Sequence, residues 1–111
     1  MGSVASRGRP WGPEDLTGGA VDEVFALVRT VVPGLVVERL QVMHPADDDN
    51  VYFLGDEHGL DRVQVDTGLD GRPPFLIEAD ERFGTSDAAE AAAVVVSWLG
   101  SGGVGVGDDP A

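Results

Sequence analysis

The sequence predicts an α+β domain: an antiparallel four-stranded meander sheet with two helices packed on one face, in the order α-β-β-β-β-α. Three observations carry this. Residues 20–32 place Val21, Val24, Phe25, Val28 and Val31 at i, i+3, i+4, i+7 and i+10, one stripe of a helix. Between residues 35 and 79, short runs rich in Val, Leu, Ile and aromatics alternate with turn-forming clusters. Residues 87–99 return to helical spacing around an Ala-rich run.

Residues 1–12 lack any apolar period and read as a flexible arm carrying Trp11; 13–100 form the single domain. The first helix has Asp22 and Glu23 in its opening turn, where the helix dipole favours anions, and Pro33-Gly34 ends it. The strands follow at 35–43, 51–55, 60–66 and 74–79. In the third, Val63 and Val65 share one face and Arg62 and Gln64 the other. The connections 44–50, 56–59 and 67–73 are short and turn-rich, so successive strands pair antiparallel; a parallel pair needs a long crossover. In the last helix Asp87 is placed to cap the N-terminus, with Glu90 reaching back as its reciprocal partner. Ala88, Ala92, Val95 and Leu99 line one face, Ala91 and Trp98 flank it, and Gly100 is placed at the C-terminal cap. Residues 101–111 read as a flexible Gly-rich tail. Each helix has one apolar stripe, so both cover the same face of the sheet.

The chain has 111 residues and a net charge of −13, from 20 acids and seven basic residues that are all Arg. Such a surface repels phosphates, so neither nucleic acid nor an anionic membrane is an expected partner. There is no Cys, which excludes disulfides, thiolate metal sites and thiol catalysis. No apolar stretch follows Arg7 and Arg9, so no secretory signal is expected and the expected location is cytoplasmic. The charge is not uniform. Residues 44–90 hold 13 acids and three Arg, or −10 of the total.

One short motif stands out. Val63-Gln64-Val65-Asp66-Thr67-Gly68, an apolar strand running into Asp-Thr-Gly, resembles the active-site turn of aspartic proteases. The resemblance implies that Asp66 is catalytic, that two copies dimerise to supply a pair of carboxylates sharing a proton, and that the fold is all-β. Leu69 stands where that family carries a small residue, and the nearest counterpart of its downstream apolar-apolar-Gly strand is Trp98-Leu99-Gly100.

Two other arrangements offer ligands. Asp47-Asp48-Asp49-Asn50 and residues 66–71 supply oxygens of the kind that hold Ca²⁺. The second segment departs from a calcium loop at its third position, Gly68, and its twelfth, Ile77. The two histidines, His44 and His58, lie at opposite ends of a strand, roughly 15–20 Å apart at about 3.3 Å per residue, too far to share a metal. No cofactor is expected. In a meander the first and third connections meet at one end of the sheet. His44, Asp47, Asp48, Asp49, Asp66 and Asp70 are therefore expected to gather there as a partner-binding rim.

The sequence thus reads as a small acidic non-enzymatic binding protein of the immunity-protein or secretion-chaperone kind. It would hold a basic protein partner by its acidic sheet end or open sheet face. The alternatives are a dimeric aspartic-type hydrolase using Asp66 and a calcium-stabilised module.

Overall fold

The computed structural model describes residues 8–42, 50–56 and 59–104. Their order is β1 (Gly8–Pro10), α1 (Val21–Val31), β2 (Val36–Leu40), β3 (Val51–Asp56), β4 (Gly59–Asp66), a 3-10 turn (Leu69–Gly71), β5 (Phe75–Glu78), β6 (Arg82–Thr85) and α2 (Ala88–Val104). The strands form one sheet in sequence order, and every neighbouring pair is antiparallel. The α+β class and the meander are as expected. The strand number is not: the sheet has six strands, because β1 and β6 add one at each edge. Both are short: β1 is three residues of Gly, Arg and Pro without alternation, and β6 alternates over only four residues, one of them Gly.

β1 corrects the reading of residues 8–12 as a flexible arm. Gly8 registers with Leu40, Arg9 with Arg39 and Pro10 with Glu38. The Trp11 amide then donates to the Val37 carbonyl at 2.9 Å, and the Trp11 side chain is buried. Residues 1–7 of the expected arm lie outside the described residues. At the other end α2 continues through Gly100 to Val104, so Gly100 is a helical residue rather than a cap. Residues 105–111 of the expected tail are outside the described residues.

One face of the sheet carries the core. Val37, Tyr52, Leu54, Val63, Val65, Phe75 and Ile77 alternate along their strands and meet Val21, Val24, Phe25 and Val28 of α1. Ala88, Ala91, Ala92, Val95 and Leu99 of α2 complete the same cluster. The small Ala side chains let α2 approach closely, and the two helices also touch each other. Trp98 is partly buried against this core.

Trp11 closes the core beside β1. Its ring meets Tyr52 edge-on at 5.9 Å, and Phe25 meets Tyr52 at 5.0 Å. The Arg9 and Arg39 guanidinium groups lie over the indole at 5.4 and 4.9 Å. Two like charges directly opposite one another in a sheet repel. Here both cations lie against the electron-rich ring, which offsets that repulsion. Arg29 of α1 donates to the Trp11 carbonyl at 2.9 Å. Burial pushes the Arg29 guanidinium below its usual value, while Glu14 and Asp15 act in the opposite direction. Arg29 stays charged, since an arginine is not deprotonated in a protein.

The helix ends are fixed by polar side chains. Asp22 turns back on the segment before α1 and accepts from the Thr17 amide (2.8 Å), the Thr17 hydroxyl (2.9 Å) and the Gly18 amide (2.9 Å). At α2 the Asp87 carboxylate accepts from the Glu90 amide at 2.9 Å, as expected of a cap. The reciprocal half differs. The Asp87 amide donates to the Thr85 hydroxyl, and that hydroxyl donates to Glu90. A residue of β6 thus stands where Glu90 was expected to reach.

Candidate functional site

The face of the sheet away from the helices is built in rows. Across the first row the register runs Val51, Asp66, Leu76 and Gly84. Across the second it runs Glu38, Phe53, Gln64, Glu78 and Arg82. Phe53 is buried on this face, between Glu38 and Gln64. Arg62 was expected here beside Gln64. It instead pairs with Asp56 at 3.0 Å and donates to the Leu99 carbonyl of α2. The pairing of β3 with β4 shifts register between Leu54 and Asp56, which displaces the hairpin end from a flat ladder.

Gln64 links the rows. Its amide nitrogen donates to Asp66 Oδ1 at 2.9 Å and to Glu78 Oε1 at 3.3 Å. Glu78 Oε2 accepts from Arg82 Nε at 3.2 Å. The network holds Asp66 by one oxygen. Its Oδ2 accepts no hydrogen bond among the described residues.

Beyond Asp66 the chain enters a tight turn. The Thr67 amide donates to the Asn50 carbonyl at 2.9 Å, so the pairing of β3 with β4 extends one step beyond Val51 and Asp66 at this end of the sheet. The Thr67 hydroxyl donates to the Gly68 carbonyl, and the Gly68 amide to the Arg72 carbonyl, both at 2.7 Å. Asp70 takes a left-handed conformation, φ 57°, inside the 3-10 turn. Gly71 follows at φ 75°, where a Cβ would sit 2.3 Å from the Thr17 hydroxyl oxygen. Gly19 likewise presses on the Asp70 carbonyl. These glycines let the turn lie flat against the segment that starts α1.

A groove of about 540 Å³ opens at this end of the sheet. Its lining includes Asp66, Thr67 and Gly68 at the end of β4, Leu76 of β5, Gly84 and Thr85 of β6, and Ser86. Asp66 is the charged residue of this lining. Gly84 is exposed and adds no side chain, so the first row stays open from Leu76 out to the sheet edge.

Of the expected rim, the structure describes Asp66, at the end of β4, and Asp70, in the 3-10 turn that follows it. Asp66 lies on the open face with Gln64, whereas Asp70 packs its backbone against Gly19 beside α1. His44, Asp47, Asp48 and Asp49 lie outside the described residues, as does His58. Among the described residues no three His, Asp or Glu side chains gather in a way that would hold a metal ion. The aspartic-protease resemblance implied an all-β fold; the chain is α+β, and Trp98-Leu99-Gly100 lies inside α2. No helix of the described residues is long and apolar enough to cross a membrane.

Sequence reasoning missed Glu78, Leu76, Gly84, Thr85 and Ser86 as neighbours of Asp66. Gln64 was within reach, since residues two apart on a strand share a face. The others depend on register across β5 and β6. Compared with protein-family models, with curated proteins and with solved structures, the chain matches none.

Proposed function

We propose that this chain is a non-enzymatic binding protein that recognises a basic protein partner at the acidic end of its open sheet face. The observation that carries this reading is the groove beside Asp66, in a chain of net charge −13. Its volume is that of a typical ligand site, and its charge comes from one carboxylate with an oxygen to spare. The surrounding acidic field would raise the encounter rate with a cationic surface and repel acidic competitors. Immunity proteins that block basic toxins, and small secretion chaperones, are the kinds of protein this physics suits.

Titration of ¹⁵N-labelled protein with nona-arginine at low ionic strength tests the reading, with nona-glutamate as control. Nona-arginine is expected to shift the amide signals of Gln64, Asp66, Leu76 and Gly84, and nona-glutamate none. No binding by nona-arginine, or shifts confined to the helical face, would overturn it.

A further inference from the structure

We infer that the groove beside Asp66 is a pocket for a single arginine or lysine side chain, carried on an extended segment of the basic partner that pairs with the free edge of β6. The inference rests on the reading above and narrows it from a charged face to one row of the sheet. Asp66 Oδ1 is held by Gln64, which fixes the carboxylate, while Oδ2 has no donor among the described residues. A guanidinium or ammonium group would supply one. Leu76, next in the row, offers apolar surface for the methylene stem of such a side chain. Gly84, the last in the row, leaves the entrance open.

The glycine is not there to relieve the backbone. Its φ lies outside the left-handed range, and a Cβ on it would meet nothing nearer than the Phe75 carbonyl at 3.8 Å. A side chain is sterically permitted at this position, and it would fill the entrance. The Arg of β6 does not enter the row. Arg82 sits two residues away and is engaged with Glu78 in the neighbouring row.

The edge itself favours an extended occupant. β6 ends the sheet, and an edge strand presents unpaired N–H and C=O groups to which another strand can add. At the opposite edge, β1 contains Pro10, which has no N–H to donate. A second copy of the chain is a poor occupant, because each copy carries −13. The occupant is therefore a basic partner.

Two fluorescein-labelled heptapeptides test this: Ser-Thr-Val-Arg-Val-Thr-Ser, and the same peptide with neutral, near-isosteric citrulline in place of Arg. Anisotropy is read for the wild type and for Gly84→Leu, Asp66→Asn and Glu23→Gln. Glu23→Gln removes the same charge from the exposed side of α1. The arginine peptide is expected to bind wild type about tenfold or more tighter than the citrulline peptide. Asp66→Asn and Gly84→Leu should each erase that advantage, and Glu23→Gln should change it less than about twofold. Equal weakening by Asp66→Asn and Glu23→Gln would overturn the pocket, as would full binding by a folded Gly84→Leu. Nona-arginine binding that survived both substitutions would leave the broader reading standing while this one fell. Methylating alternate backbone nitrogens of the peptide should abolish binding in one phase only; tolerance of both phases would overturn strand pairing. A concentration-dependent dimer abolished by Gly84→Leu would place a second copy at the edge and overturn the choice of partner.

Discussion

The Trp11 indole meets the Tyr52 ring edge-on, 5.9 Å between centroids, and so ties the segment after β1 to the centre of the core. Trp11 lies ten residues before α1, yet it is 7% exposed and its carbonyl accepts from Arg29. Trp11→Ala removes a large ring from a closed cluster. It is expected to cost about 3–5 kcal/mol in urea unfolding. A loss under about 1 kcal/mol would show that residues 8–12 are not part of the cooperative domain.

Gly71 tests the contact between the 3-10 turn and the start of α1. An alanine there must hold φ 75° and place its Cβ 2.3 Å from the Thr17 hydroxyl oxygen and 2.6 Å from Val21. Gly71→Ala should destabilise by more than about 1 kcal/mol, since both strain and overlap act in the folded state. An unchanged denaturation midpoint would contradict the close approach.

Gly100 decides where α2 ends. The sequence places it at a C-terminal cap, where a left-handed conformation suits glycine. In the structure it is an exposed helical residue, and a Cβ there meets nothing within 4 Å. Gly100→Ala is therefore expected to stabilise by about 0.5–1 kcal/mol. Destabilisation of similar size would return the cap to residue 100.

The Asp87 cap joins α2 to the edge strand. Asp87→Ala removes the acceptor for the Glu90 amide and should cost about 1 kcal/mol. Thr85→Val removes the hydroxyl that links the Asp87 amide to Glu90, and should share part of that loss. Fully additive losses in the double substitution would show that the two bonds act independently.

Much of this fold was legible because its signals are local. The Val21–Val28 stripe, the Val63/Val65 alternation and the Asp87 cap each follow from periodicity or from one short hydrogen bond; Val31, expected on the same stripe, is exposed at the end of α1. β1 and β6 were not legible. A three- or four-residue edge strand buries little and needs no alternating pattern, so Gly8–Pro10 and Arg82–Thr85 read as loop. Trp11 was recognisable as an anchor, but its partner Tyr52 is 41 positions away and no spacing rule joins them. The site divides in the same way. Asp66 could be singled out from its motif and Gln64 from its period. Leu76 and Gly84 enter only through cross-strand register, which the turns after β4 and β5 set. The placement of the Asp70 backbone was equally hidden, because it depends on two glycines, Gly19 and Gly71, meeting across the fold.

In the proposed pocket one carboxylate, rather than the general negative field, receives a cation on the open face. The dissociation constant of the arginine heptapeptide, compared between Asp66→Asn and Glu23→Gln at one ionic strength, tests it most directly. Both variants lose one charge, so the bulk field changes equally. Asp66→Asn should weaken binding about tenfold or more, and Glu23→Gln less than about twofold. Equal weakening in the two variants would contradict it.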